Sequence, residues 1–303
     1  MLAYATLMRP LNCFMAAVAV FIGALLILNT AGWGAVLSTP VYLAMLAAFI
    51  IAGAGNAIND YMGVYEDKIN KPHRPIPSGR VSRGSALAFS IVLFLVGLGI
   101  SAMINPIAFA IAAFNSFLLI TYNTHLKDRL LIGNISISYL VGSSFLFGGA
   151  AVGSMTLPLI LLLLAGVSNF AREVVKTLED LRGDKLALLK SVVANAKHKV
   201  MKKIAQRFRV EEGQVKLRYQ KRTLETIAAF SLVVAIAISP LPYILGILSL
   251  SYVVVAALTD IAFAFAIVQL HKARKKNHYH AVSKTIKLGM FLGLVAFIVG
   301  VLI

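Results

Sequence analysis

Charged residues and cysteines are scarce in this sequence. Charged side chains make up 14% of its 303 residues, whereas soluble domains contain about 25%. This scarcity excludes an ordinary water-soluble globular domain. A single cysteine, Cys13, excludes a disulfide framework within the chain. The pattern of a membrane β-barrel, short segments of about ten residues with alternating hydrophobicity, does not fit the sequence either.

The sequence is instead rich in long apolar blocks. Hydrophobic residues make up 59% of the chain, and about 20 of them in a row cross a bilayer as a helix. We interpret the first block, which follows Arg9, as a permanent span and not a cleaved signal peptide, because eight more blocks follow it. The predicted fold is all-α, with nine transmembrane helices. The predicted spans are 12–30, 39–60, 84–104, 106–123, 132–153, 155–177, 222–240, 242–271 and 283–302.

Basic residues are confined to every second connector between these blocks. The net charge is +17, and connectors rich in Lys and Arg stay in the cytoplasm. The sequence therefore predicts a multi-pass protein of the cell membrane, with its N-terminus inside and membrane lipid beside its basic connectors. No nucleic-acid-binding motif accompanies the charge, so no nucleic-acid partner is predicted. The basic connectors are 61–83, 124–131, 185–221 and 271–283.

Seven of the twelve acidic residues fall in two short windows, both at predicted cytoplasmic helix ends. In each window, three oxygen-bearing side chains are separated by four and seven residues, in opposite orders. Such steps return to one face of a helix, although the helices are expected to loosen near Gly63 and Gly183. Each window therefore predicts a stripe of side-chain oxygens. The first stripe is Asn56, Asp60 and Asp67, and the second is Glu173, Asp180 and Asp184.

Clustered carboxylates beside lipid repel one another and are costly to desolvate, and a bound cation removes both problems. Oxygen ligands favour hard cations, and Mg²⁺ typically combines one or two carboxylates with substrate phosphates. The two stripes therefore predict an Mg²⁺ site on the cytoplasmic side that binds a diphosphate. The alternative is that these acids are ordinary interfacial residues, paired with nearby Lys and Arg.

Two connectors add cations and an aromatic residue. Residues 66–80 contain three prolines together with Lys68 and Arg74, and arginine binds phosphate through a bidentate fork. The connector after the fourth span contains Tyr122 and Lys127. Tyr122 fits either of two roles, an aromatic at the membrane interface or a residue that faces the site. The stiff basic loop predicts a site that binds and releases a diphosphate.

These motifs resemble the signatures of the UbiA superfamily of membrane prenyltransferases. Residues 56–61, followed by Asp67 and by 74–79, resemble the first signature, and 172–184 resemble the second. Residues 122–134 resemble the loop between the two signatures. The resemblance is close through the sixth span and rests on hydropathy alone for the last three.

The resemblance implies nine transmembrane helices around a central cavity, in a single prenyltransferase domain over residues 1–303. It also implies Mg²⁺-dependent transfer of a prenyl group from its diphosphate to a lipophilic acceptor. The matching positions imply two groups of site residues. The implied metal ligands are the catalytic residues Asp60, Asp67, Asp180 and Asp184 with Asn56 and Glu173, and the implied substrate-binding residues are Asn56, Lys68, Arg74, Tyr122, Lys127 and Lys176.

The tract from Asn59 to Gly79 most resembles the archaeal branch of the family that makes digeranylgeranylglyceryl phosphate. This branch implies a geranylgeranyl donor and geranylgeranylglyceryl phosphate as the acceptor, in archaeal ether-lipid synthesis. An aromatic acceptor, as in quinone synthesis, is the close alternative. The sequence departs from many family members at Gly63 and Thr177, where they have a further Asp, so the number of ions is left open.

Two features lie outside these motifs. The basic connector 185–221 has apolar residues at helical spacing and predicts an amphipathic helix on the membrane surface. Asp260 lies alone in the eighth span, where an acid either takes part in function or pairs with a hydroxyl of a neighbouring helix. A secondary transporter is the alternative of another class, but transporters place their coupling sites near the bilayer midplane, whereas these stripes lie at helix ends.

Overall fold

The computed structural model describes residues 2–127, 129–195 and 221–303, and within these ranges the chain is helical, with no β-strand. In these ranges, eight helices are long and apolar enough to span a membrane, and counting one bent pair as a span gives nine. The predicted all-α transmembrane fold is therefore confirmed. The helices are α1 (Leu2–Met8), α2 (Pro10–Leu25), α3 (Leu28–Val36), α4 (Thr39–Met62), α5 (Val64–Asn70), α6 (Arg83–Ala102), α7 (Pro106–Thr121), α8 (Leu130–Ala151), α9 (Thr156–Asn195), α10 (221–238), α11 (Leu241–Ile244), α12 (Leu250–Lys272) and α13 (Lys276–Leu302).

Several helix ends have a local cause. The bent pair is α1 and α2, which meet at 48° because Pro10 has no N–H with which to continue α1. Gly63 separates α4 from α5, as the sequence predicted. Gly183 does not interrupt its helix, because α9 continues through it as one element. The predicted amphipathic helix of 185–221 therefore overlaps α9 in part, and residues 196–220 lie outside the described ranges.

The described chain forms two compact units. Unit 1 comprises Met1–Gly166, Leu241–Val253 and Val295–Ile303, and unit 2 comprises Val167–Pro240 and Val254–Leu294. The first acidic stripe lies in unit 1 and the second in unit 2. The single domain over the whole chain stays a prediction.

Small residues line the helix contacts of unit 1. Here α2 packs on α4 and α8, and α4 packs on α6. Gly97 of α6 brings the two backbones close, because an added Cβ would lie 2.5 Å from Ile51 Cγ1. Ala44, Ala47 and Ala54 of α4 are fully buried. Lipid is as apolar as the side chains of these helices, so burial from lipid does not drive their association. Close packing of the backbones stabilises the contacts instead.

The contact of α2 with α8 gives a testable case of this packing. A Cβ on Gly148 would overlap the carbonyl oxygen of Val20, whereas a Cβ on Gly99 would meet no atom within 4 Å. We expect Gly148→Ala to cost about 1–3 kcal/mol through overpacking, and Gly99→Ala to be neutral or slightly stabilising because alanine is the better helix former. Thermal unfolding of the two purified variants compares them. An equal unfolding temperature would contradict the described α2–α8 contact.

In unit 2, α9, α10, α12 and α13 share one apolar core. Val174 and Val175 of α9 are fully buried in it. Tyr279 of α13 is also fully buried, and its hydroxyl donates to Glu225 at 2.6 Å, so its polar atom is satisfied. This core takes up one side of α9 and leaves Glu173 on the less buried side.

Candidate active site

Two buried carboxylates, at the end of α4 and within α5, are held together by one arginine. Asp60 is 3% exposed and Asp67 is 8% exposed. One guanidinium nitrogen of Arg74, Nη1, donates to Asp60 Oδ1 at 3.0 Å and to Asp67 Oδ2 at 2.6 Å. The two carboxylates therefore converge on a single cationic atom although Gly63 divides their helix. Two hard oxygen donors around one point fit a small hard cation such as Mg²⁺.

A second arginine, Arg9, also contacts Asp60 Oδ1. Arg9 lies in the break between α1 and α2, in the left-handed conformation with φ 54°. The break leaves the carbonyl of Met8 without a regular helical partner, and Asn56 Nδ2 donates to it at 2.7 Å. Asn56 thus stabilises the break from which Arg9 reaches Asp60. Arg9 was not among the site residues predicted from the sequence, although the following Pro10 marks a helix start and thus the break that holds Arg9.

The loop that carries Arg74 is fixed from both sides. Ile76 and Val81 are buried in an apolar cluster with residues of α1, α4, α5 and α6. Arg80 folds back onto the loop, because its Nη2 donates to the carbonyl of His73 at 2.6 Å and its Nε to Ser78 Oγ at 3.0 Å. Arg74 therefore reaches the carboxylates from an anchored loop, whereas the hydrogen bonds of Arg80 stabilise the loop.

Two predicted lysines have different surroundings. A Cβ added to Gly63 would lie 3.9 Å from Asp67 Oδ2 and 3.9 Å from Lys127 Nζ. Lys127 therefore lies beside the first carboxylate pair, and an acid at position 63 would enter the space between them. Lys68 Nζ lies 5.9 Å from the centre of the Tyr65 ring, a cation–π contact at the surface of α5.

Tyr122 begins a π-helical turn, Tyr122–Leu126, that follows α7. Gly133 lets α8 approach this turn, because an added Cβ would lie 2.7 Å from the carbonyl oxygen of Leu126 and 3.6 Å from the Tyr122 ring. Irregular π-turns are common at functional sites. Tyr122 is half-buried, and its role as a substrate-binding residue stays a prediction.

The second stripe begins with a carboxylate that has two cationic partners. Glu173 Oε1 accepts from Arg172 Nη1 at 2.8 Å and from Lys176 Nζ at 2.8 Å. Arg172 also donates to Asn169 Oδ1 at 3.2 Å. The next acid, Glu179, has His280 as its partner, at 3.3 Å. Glu173 and Lys176 were among the site residues predicted from the sequence, and Arg172 was not.

The remaining two acids of this stripe, Asp180 and Asp184, lie in α9, but their side chains are outside the described part of the structure. Among the described residues, no group of three or more His, Cys, Asp or Glu side chains could hold a metal ion. The described candidate ligands are therefore the carboxylate pair in unit 1. The full ligand set named from the sequence stays a prediction.

Asp260 has the hydroxyl partner that one of its two interpretations required. Ser239 Oγ donates to Asp260 Oδ2 at 2.7 Å. Among the described atoms, Asp260 Oδ1 and the hydroxyl of the adjacent Thr259 are buried without a hydrogen-bond partner. This hydrogen bond joins the end of α10 to α12 within unit 2.

The chain is similar to known proteins over nearly its whole length. The UbiA prenyltransferase family matches residues 16–295. Digeranylgeranylglyceryl phosphate synthase from Methanosarcina mazei is 40% identical over 312 residues, which cover 98% of each chain. The protein of that name from Methanopyrus kandleri is 39% identical over 307 residues and covers 100% of each.

Solved structures show the same architecture. One reported for digeranylgeranylglyceryl phosphate synthase in membranes has a TM-score of 0.80 at 34% identity, covering 99% of this chain and 97% of that chain. A UbiA homolog from Archaeoglobus fulgidus bound to GPP and Mg²⁺ shares the fold, with a TM-score of 0.60 at 17% identity, covering 97% and 99%. The resemblance seen in the two motifs is confirmed over nearly the full length. The chain belongs to the UbiA prenyltransferase family.

Proposed function

We propose that the protein transfers a geranylgeranyl group from its diphosphate to geranylgeranylglyceryl phosphate, in ether-lipid synthesis. The observation that carries the proposal is the buried pair of Asp60 and Asp67 converging on one cationic nitrogen, in a chain of the UbiA family. The names of the full-length relatives at about 40% identity support this acceptor over an aromatic one. The geometry supports a prenyltransferase and not a transporter, because the pair lies at a helix end.

The proposal includes Mg²⁺ as the cofactor. Asp60 and Asp67 would hold it in unit 1, and Asp180 and Asp184 are the proposed ligands of the second stripe. A UbiA homolog of the same fold that binds GPP with Mg²⁺ supports divalent-metal use. When bound, Mg²⁺ supplies positive charge that stabilises the negative charge developing on the diphosphate leaving group.

The protein side chains would bind the substrate and exclude water. Arg74, Lys127 and Lys68 bind the phosphate oxygens, and Tyr122 is a further substrate-binding residue. The apolar helices accommodate the prenyl tail and exclude water from the reacting carbon, because water would capture an allylic cation. The bond between the prenyl carbon and the diphosphate oxygen breaks, diphosphate leaves, and the acceptor hydroxyl forms the new C–O bond with the allylic cation. The hydroxyl proton leaves to the released diphosphate or to a side chain.

We also propose that the site faces the cytoplasm in the cell membrane, with the N-terminus inside. The basic connectors 61–83 and 124–131 lie beside the first acidic stripe, and basic connectors stay inside. A cysteine added to the 61–83 connector of a Cys13→Ser variant is expected to react with a membrane-impermeant maleimide only after the cells are opened. Labelling of intact cells would overturn this orientation.

The function is tested with purified protein in lipid nanodiscs and labelled geranylgeranyl diphosphate. We expect product with geranylgeranylglyceryl phosphate, none with 4-hydroxybenzoate, and none with either acceptor when EDTA removes the metal. Product with 4-hydroxybenzoate alone would overturn the proposed acceptor. Turnover that survives EDTA would overturn the proposed cofactor.

A further inference from the structure

A cluster of charged residues lies in the last two turns of the candidate span of α9. The span Thr156–Glu179 contains Arg172, Glu173 and Lys176 on the less buried side of the helix. Ionisable residues within a candidate span are rare, and they are retained for a functional reason or are paired.

Among the described side chains, this cluster contains two cations and one carboxylate. Glu173 is the carboxylate partner of both Arg172 and Lys176 among the described residues. Arg172 Nε is buried without a hydrogen-bond partner in the same part of the structure. The cluster around Asp60 differs, because there two arginines face two aspartates. An excess positive charge beside lipid is stabilised by an anionic ligand.

The position on α9 separates this cluster from the proposed metal ligands. At about 1.5 Å of rise per residue, Lys176 precedes Asp180 by about 6 Å along the helix axis and Arg172 precedes it by about 12 Å. A phosphate bound between Arg172 and Lys176 would therefore lie one to two helical turns before Asp180 along α9. Guanidinium and ammonium groups bind a phosphate monoester without a metal ion.

We propose that Arg172 and Lys176 bind the phosphate monoester of the lipid acceptor, and that Glu173 is the positioning residue that holds the two cations side by side. This inference rests on the proposed function, because only a phosphate-bearing acceptor needs such a site. It assigns a role to Arg172 and replaces the predicted metal-ligand role of Glu173. If Arg172 and Lys176 bind this phosphate, the enzyme selects acceptors that carry a phosphate over acceptors that lack one.

The test compares acceptors with and without the phosphate. Wild-type protein is expected to prefer geranylgeranylglyceryl phosphate over geranylgeranylglycerol at least 100-fold in kcat/KM. Arg172→Gln and Lys176→Gln should each reduce this preference about tenfold and change the KM for geranylgeranyl diphosphate less than twofold. Lys287→Gln, which removes an exposed lysine of α13 in the same unit, is the matched control and should keep the full preference.

The outcomes separate the two proposals. Wild-type protein that does not use the phosphate acceptor would overturn the proposed function, and this inference with it. Wild-type turnover with an undiminished preference in Arg172→Gln and Lys176→Gln would overturn only the inference. Because the site needs no metal, acceptor binding measured in EDTA should weaken about tenfold in Arg172→Gln. Unchanged acceptor binding to Arg172→Gln in EDTA would also overturn the inference. If Arg172→Gln fails to fold, Arg172→Lys takes its place in both measurements.

Glu173 has its own test. Glu173→Gln should raise the KM of the phosphate acceptor severalfold, and Glu173→Asp should restore part of the loss. The Mg²⁺ concentration for half-maximal rate should change less than twofold, because the proposed partners of Glu173 are Arg172 and Lys176 and not Mg²⁺. A tenfold increase in that concentration would make Glu173 a metal ligand and overturn its positioning role.

Discussion

Asp60→Asn is expected to lower kcat/KM about 10³-fold. The substitution keeps the shape of the side chain but removes a negative charge that faces Arg74 and Arg9 and that we assign to Mg²⁺. Metal and charge stabilisation of a leaving group contributes several kcal/mol to the transition state, and about 4 kcal/mol corresponds to a factor of about 10³. Steady-state kinetics across an Mg²⁺ titration measures the effect.

The control for Asp60→Asn is Asp260→Asn. Asp260 is also an aspartate inside a candidate span, but its partner is a serine hydroxyl and not an arginine. We expect this variant to keep its turnover within about threefold. Thermal unfolding of both variants separates a loss of chemistry from a loss of fold, because removing one partner of a buried ion pair costs about 3–5 kcal/mol. Full activity of a folded Asp60→Asn protein would refute the assignment.

Arg74→Gln is expected to lower kcat/KM at least 100-fold. Arg74 is the one described side chain that contacts both Asp60 and Asp67, and it comes from a loop anchored by buried Ile76. Glutamine has neither the positive charge nor the planar guanidinium that binds two oxygens. The variant therefore loses the contacts of residue 74 with both carboxylates and with the proposed phosphate. Kinetics at saturating Mg²⁺ isolates the phosphate contact from metal binding.

Arg80→Gln is the matched control, because Arg80 lies in the same loop and has the same charge. Its guanidinium donates to the carbonyl of His73 and to Ser78, so its loss should loosen the loop and lower the rate less than tenfold. Equal losses in Arg74→Gln and Arg80→Gln would indicate a general electrostatic effect of the loop. The specific role of Arg74 would then be wrong.

The all-helical membrane fold was predictable because it depends on local properties. Hydropathy over about 20 residues reports a span wherever that segment lies in the structure. The proximity of Asp60 and Asp67 was predictable for a similar reason, because helical spacing places side chains on one face. The break at Gly63 was also predicted, and yet Asp60 and Asp67 remain together.

The partners of these acids were not predictable. The sequence left two interpretations of these acids open, a metal cluster and ordinary pairing with nearby Lys and Arg, and neither says which cation contacts which acid. The structure pairs Asp60 with Arg9, which is 51 residues away, and Glu173 with Arg172 beside it. Spacing along one helix carries no information about a contact between distant helices.

The sequence by itself determined the all-helical membrane class and the positions of both motifs along the chain, since hydropathy and helical spacing are properties of short segments. Only the tertiary structure decided which cation meets which acid. That choice depends on the break at Pro10, on the anchored loop of Arg74 and on the face of α9 that its core leaves uncovered. Each of these arises from packing between elements far apart in the chain, and packing selects one partner among several of equal charge.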